Sequence, residues 1–287
     1  MEGLFCRAAT MRTEQAHKTV RLVPWAILAL GLLLTYVLGN VVRESRRQAL
    51  QFEFDFRVNE IVGNVDQRLS NYEQVLAGAA GLFEASHSVE REEFAAYVRA
   101  LRLEGRFPGI QGVGFARLVQ PRDKAGLVAA IRAEGFPDYD IRPAGRRELY
   151  TSIVYLEPFD WRNQRAFGYD MYSEPVRRAA MERARDSEQT SISGRVRLLQ
   201  ETERDVQPGF LMYLPIYRFQ IPHRSLEERR ANLLGWVYAP FRMHDLMQGV
   251  LGRHFGEIAA SLDLEIYDGD ATDPDHLLFD SNAGVRS

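Results

Sequence analysis

Between Pro24 and Val42 the chain reads PWAILALGLLLTYVLGNVV, without one charged residue. As a helix, such a run is long enough to cross roughly 30 Å of hydrocarbon. Trp25 stands at one end, where an amphipathic ring favours the headgroup region. A cleaved signal peptide is the rival reading, but its apolar region is about 7–15 residues long and ends in small residues. Here the run continues into Arg43-Glu44-Ser45-Arg46-Arg47. The sequence therefore predicts a cytoplasmic tail over 1–23, a retained transmembrane helix over 24–42, and the rest of the chain on the periplasmic or exterior side of the inner membrane. Arg7, Arg12, Lys18 and Arg21 precede the span, and Arg43, Arg46 and Arg47 follow it. Charge alone leaves the orientation open.

After the span, Val58, Val62, Val65, Leu69, Tyr72, Leu76, Ala79 and Phe83 recur at alternating spacings of four and three. This heptad seam predicts a long stalk helix over 43–87, paired with a second copy, packed on its own domain, or both on different faces. Ser88, with Glu90, Glu92 and Glu93 behind it, predicts a capped helix with Phe94, Tyr97, Val98 and Leu101 on one face. Strands are expected at 110–119, 139–142, 149–156, 191–199, 210–217 and 233–238, and shorter ones at 263–267 and 277–279. Ser173, just before Pro175, predicts the cap of another helix. Strands and helices do not alternate regularly, so the fold class is α+β with antiparallel sheet.

Three stretches carry a resemblance: FPGIQGVGFARLVQPRD (107–123), GYDMYSEPVRRAAMERARDSEQTSISGRVRLLQE (168–201) and GFLMYLPIYR (209–218). In this order, behind a membrane helix, they resemble the CHASE domain, the extracellular sensory domain of histidine kinases, diguanylate cyclases and plant cytokinin receptors. The resemblance implies two PAS-like subdomains after the stalk, a membrane-distal one at 88–200 and a membrane-proximal one at 201–287. It also implies a kinase or cyclase output in a longer gene product, and a ligand in the distal subdomain. The threonine of the cytokinin-binding relatives falls on Ser193, and their aspartate falls near Asp160 or Trp161.

From the residues, Asp160, Asp170 and Arg195 are candidates to bond a small polar ligand, with Tyr155, Phe159 and Trp161 as walls. Ser193 and Arg195 are expected to share a strand face looking into a cavity with Tyr155, Asp160 and Tyr213. The rival reading has Asp170 fixing a turn, Arg195 exposed and Ser193 bonded only to backbone. A net charge of -3 carries no signal for nucleic acid. Cys6 is the single cysteine and precedes the span, so no cysteine metal site or disulfide lies beyond it. His223, His244, His254 and His276 lack metal-ligand spacing, and no phosphate loop or nucleophile elbow is present. The expectation is a non-enzymatic input module with no metal or cofactor, a small-molecule ligand and a homodimeric stalk. The alternative is a membrane-tethered adaptor that binds a protein partner.

Overall fold

The structure, a computed structural model, describes residues 3–203, 205–252 and 262–282; His254 lies outside them. The chain divides into two units, Met1–Val62 and Gly63–Ser287. Helix α1 (Gly3–Glu84) runs for 82 residues. Among the described residues it holds the one stretch long and apolar enough to cross a membrane, judged by length and composition. Leu28, Leu32, Tyr36 and Val41 in that stretch are exposed.

In the second unit, five strands form one antiparallel sheet in the order β2-β1-β5-β4-β3. They are β1 (Val113–Val119), β2 (Tyr150–Glu157), β3 (Ser191–Ile192), β4 (Gly209–Tyr217) and β5 (Leu233–Arg242). A separate hairpin pairs β6 (Glu265–Tyr267) with β7 (Leu277–Asp280). The helices are α2 (Arg91–Leu101), a short turn α3 (Leu103–Arg106), α4 (Lys124–Ala133), α5 (Pro175–Ser187), α6 (Leu226–Asn232) and α7 (Met243–Leu251). Mixed helix and antiparallel sheet is the α+β, PAS-like arrangement the sequence predicts.

Side-chain alternation gives the main sheet two apolar faces, and both are covered. One face meets the 63–84 part of α1. Tyr72 is fully buried there, with its ring 4.8 Å from Phe241 and 6.0 Å from Phe107, and its hydroxyl donates to the carbonyl of Pro108. Phe83 lies 4.4 Å from Phe115, and Phe210 stacks on Phe241 at 4.9 Å. The other face meets α5, whose Ala180, Met181 and Ala184 are fully buried against Leu211, Tyr213, Trp236 and Tyr238. The heptad seam thus serves two ends. Tyr72, Leu76, Ala79 and Phe83 are buried in the chain's own domain, whereas Val58 and Val62 are exposed.

Several boundaries differ from expectation, each for a local reason. The strand expected at 191–199 stops at Ile192, because Gly194 and Arg195 leave the sheet toward the 268–275 loop. No strand forms at 139–142, where one bridge joins Arg142 to Tyr169. Helix α5 is capped by Glu174, which accepts from Val176 and Arg177 amides, and not by Ser173. Helix α2 starts after Glu90, not Ser88, with Glu93 returning to the Glu90 amide. The strands expected on either side of position 200 share one sheet: Ser191 pairs with Tyr213, and β4 and β5 pair along their length. Alternation within a strand reveals its faces but not its neighbours, so that pairing is not readable from the pattern.

Helices α5 and α6 are tied by Asp186, whose carboxylate takes a bidentate contact from Arg230 (2.6 and 3.1 Å) and one from Arg185 (2.6 Å). The Arg230 hydrogen bond, foremost, holds the Asp186 carboxyl well below its usual value of 3.8. A depressed folded pKa stabilises the fold above the unfolded value, and that stability is lost as pH falls through the folded one. Burial pushes Asp170 and Glu157 the other way. Thermal melts of the wild type and Asp186→Asn should therefore converge as pH drops from about 4 to about 2. Parallel curves would mean that the pair contributes nothing.

Candidate functional site

The α5 face of the sheet holds a cluster of tyrosines that differs from every other buried tyrosine nearby. Tyr213 on β4 and Tyr238 on β5 are direct cross-strand partners, so their rings share a face, with centroids 6.2 Å apart. Tyr238 lies over β1 because Gly114 has no side chain; a Cβ there would sit 2.5 Å from the ring. Tyr172, from the 3-10 turn Met171–Ser173, packs 5.4 Å from Trp236. Trp236 donates its indole N–H to the carbonyl of Met181 on α5 at 2.9 Å.

The hydroxyls of Tyr172, Tyr213 and Tyr238 are buried and have no hydrogen-bond partner in the protein. The other buried tyrosines are satisfied, Tyr139 by Ser152 at 2.6 Å and Tyr217 by the Arg185 carbonyl at 2.6 Å among them, and half-buried Tyr155 bonds the Val89 carbonyl at 2.9 Å. An unmet buried hydroxyl costs about 1–3 kcal/mol, so three on one face stand out against the ordinary pattern. Burial drives all three phenol pKa values upward, so they stay protonated and can each donate and accept. The charge of Arg177, at the start of α5, acts on Tyr213 and Tyr238 and opposes the rise that burial causes. Its guanidinium is buried, bonded to the Arg197 carbonyl at 2.8 Å and paired with Glu174 at 3.3 Å, and lies over the Tyr169 ring.

Asp170 is fully buried and holds the 3-10 turn that carries Tyr172. One carboxylate oxygen accepts from the Thr151 amide (2.8 Å), the Thr151 hydroxyl (3.1 Å) and the Tyr172 amide (3.1 Å). The other lies 3.3 Å from Arg147, an ion-pair contact without hydrogen-bond alignment. Burial raises the Asp170 pKa, and the Thr151 amide opposes the rise. Its role is the turn-fixing one. Ser193 is likewise bonded to backbone: its hydroxyl accepts from the Leu211 amide at 2.9 Å and donates to the Gly194 carbonyl at 2.8 Å. Arg195 is exposed; its amide donates to Asp268 at 2.6 Å and its guanidinium to the Asp275 carbonyl at 3.0 Å.

The remaining candidates gather elsewhere. Tyr155 pairs with Phe115 across β2 and β1 and faces α2, with Phe94 5.4 Å away. It is on the opposite side of the sheet from Tyr213. A register shift between Phe115 and Ala116 sets which β2 residues share that face. Phe159 packs on Phe136 and Phe167, beside Arg91, which stacks over the rings of Phe136 and Tyr155. Asp160 is exposed and caps the next turn through the Arg162 and Asn163 amides (2.9 and 2.8 Å); Trp161 beside it is 62% exposed. The expected single cavity shared by Tyr155, Asp160, Ser193, Arg195 and Tyr213 is not what these side chains form. Tyr172 and Tyr238 were not singled out in the sequence, although Tyr172 lies within its GYDMYSEPVRR stretch; Arg177 reads there as part of a solvated helix face with Arg178, Arg183 and Arg185, and the structure buries it.

The model of the CHASE domain matches residues 87–279. A hybrid signal transduction histidine kinase of Dictyostelium discoideum is 28% identical over 148 residues, which is 50% of this chain. The chain spans 7% of that kinase's length. The ligand-binding domain of an amino-acid chemoreceptor of Pseudomonas aeruginosa, in complex with GABA, superposes with a TM-score of 0.43 at 12% identity, over 78% of this chain and 73% of that one.

Proposed function

This chain belongs to the CHASE domain family, and on that premise we propose that it is the extracytoplasmic, ligand-sensing input module of a membrane receptor. CHASE is a sensory, non-catalytic domain. The ligand site of the proposal is the core between α5 and the sheet, around Tyr213 and Tyr238. The observation that carries it is the set of buried tyrosine hydroxyls without protein partners. A small ligand with an apolar body and a few hydrogen-bonding groups would satisfy them and recover the free energy they now forfeit. Tyr213 is then a contact residue, and Asp170 and Ser193 position its surroundings. Tyr155, Phe159, Asp160, Trp161 and Arg195 fall outside the site.

In this reading residues 24–42 anchor the chain in the membrane. The exposed Val58 and Val62 of the first unit, four residues apart on the heptad seam, supply the face on which two copies of α1 pair. The output is a histidine kinase or a diguanylate cyclase; the histidine kinase relative favours the first.

The test is a thermal-shift screen of small polar metabolites on the full chain in nanodiscs, with Tyr213→Phe and Tyr238→Phe alongside. Deleting an unsatisfied hydroxyl removes a cost, so each variant should be as stable as the wild type or more so, by up to about 1 kcal/mol. A ligand at a hundred times its Kd adds about 2.7 kcal/mol to the wild type. That gain should shrink in both variants. A stabilising ligand whose effect is the same in wild type and both variants would remove the tyrosine core from the proposal.

A further inference from the structure

Away from the tyrosine core, a cleft of about 530 Å³ opens where the end of β1, the start of α4, the end of β4 and the start of β5 meet. Its size lies within the roughly 300–1,000 Å³ of small-molecule sites. Three arginines from three separate segments line it: Arg117 on β1, Arg122 just before α4 and Arg218 just after β4. The sheet brings two of them together. Arg117 pairs with Gly235 of β5, and the Arg218 amide donates to the Asn232 carbonyl at 2.8 Å, which pins the end of β4 to the start of β5. The lining holds one carboxylate, Asp123, 3.9 Å from Arg122 in a loose, exposed contact. Among the described residues, no carboxylate pairs with Arg117 or Arg218. Leu127 and Ala130 of α4 and Leu233 of β5 give the cleft an apolar side.

Gly126 is the second, independent observation. It lies inside α4, where glycine costs about 1 kcal/mol against alanine. No close backbone approach demands it, since a Cβ there would meet nothing within 4 Å. Its φ is not in the left-handed region that would favour glycine. What the missing side chain leaves is open space in the wall of the arginine cleft.

We propose that this cleft binds an organic anion, its phosphate or carboxylate held by Arg117 and Arg218 and its apolar part resting on Leu127, Ala130 and Leu233. Arginine suits the role because its planar fork meets both oxyanions bidentately. The site is separate from the sensory core and stands whether or not that core takes a ligand.

The experiment titrates inorganic phosphate and hexyl phosphate into the full chain, in nanodiscs of phosphatidylcholine, by calorimetry. Hexyl phosphate should bind more tightly than phosphate. Arg117→Gln and Arg218→Gln, both at exposed positions, should each weaken it about tenfold or more. Gly126→Phe should block it, whereas Gly126→Ala should keep binding and raise Tm. Asp123→Asn should strengthen binding, a gain that general loosening of the fold would not produce. Adding phosphatidylglycerol to the discs separates two sources of the anion. Competition that disappears in Arg218→Gln identifies a lipid headgroup, and no competition identifies a free ligand. Absence of hexyl phosphate binding to the wild type, or affinity unchanged in Arg117→Gln, Arg218→Gln and Gly126→Phe, overturns the proposal.

Discussion

Arg242→Met should lower the stability of the domain by about 3–5 kcal/mol, the cost of leaving a buried charge without its partner. Arg242 ends β5 and is 6% exposed. Its guanidinium makes three carboxylate contacts, each at 2.8 Å: Nε to Glu201, Nη1 to Asp245 and Nη2 to Asp205. Nη2 also donates to the Asp205 carbonyl. These contacts fasten the segment after Val196, which leaves the sheet, to the junction of β5 and α7. The three carboxylates do not suffer equally when the arginine is lost. The side chain of Asp205 is 71% exposed and that of Asp245 is 32% exposed, so water can take the place of the arginine. That of Glu201 is 3% exposed and would be left charged in the interior. The expected fall in Tm is roughly 10 °C for a domain of this size. The double variant Arg242→Met with Glu201→Leu should recover most of the loss, because replacing both partners of a buried pair by apolar groups is often neutral. If the double variant were as unstable as Arg242→Met alone, the damage would come from Asp205, Asp245 or packing and not from a stranded Glu201.

What the sequence disclosed and what it withheld divide along the same physical line. Runs with strong periodicity were legible: the apolar span, the seam that becomes α1, and the alternation of β4, in which Leu211 and Tyr213 face one way and Phe210 and Met212 the other. Both faces of β4 are covered as that alternation requires, one by α5 and one by α1. Neighbour relations were not legible. Tyr213 stands among the sequence candidates, yet its partner Tyr238 does not, because their meeting depends on a β4–β5 register that no local pattern encodes. Ser193 and Arg195 were read as one strand face, but the strand ends at Ile192, and beyond it the period of two no longer governs. The side chain of Tyr155 is placed by a register shift, a one-residue irregularity invisible to alternation. Asp160 and Asp170 were legible as polar residues, and either could have contacted a ligand or capped a turn; the amides of Arg162, Asn163 and Tyr172 decide for the cap. Helix α6 is a different case. Ser225 and Glu228 form a capping box, a signal that was present in the sequence and passed over.

Tyr72→Ala should be nearly as damaging as the loss of Arg242, at about 3–5 kcal/mol, the range for truncating a large buried aromatic. It should also do something that Arg242→Met does not. Tyr72 lies in the part of α1 that packs on the sheet, against Phe241 of β5, which in turn stacks on Phe210 of β4. The same two strands carry Tyr238 and Tyr213 on their opposite face. If a ligand binds the tyrosine face as proposed, any shift it causes in β4 and β5 is felt at Phe210 and Phe241, because a close-packed sheet moves its two faces together. On the proposed ligand site, Tyr72 would couple α1 to that movement, through ring packing and through the hydroxyl that donates to the Pro108 carbonyl. A ligand can shift such an equilibrium only by its differential affinity for the two arrangements, typically 1–3 kcal/mol, so a small loss of coupling has a large effect on output. Tyr72→Phe separates coupling from folding. It keeps the ring and removes one hydrogen bond, for about 1 kcal/mol of stability. In a chimera joining residues 1–287 to a reporter kinase through a second membrane helix, Tyr72→Phe should bind ligand with near-normal affinity and transmit a weaker response. A full response together with normal affinity in Tyr72→Phe would place the coupling elsewhere on α1, at Leu76, Ala79 or Phe83, which are buried against the same domain.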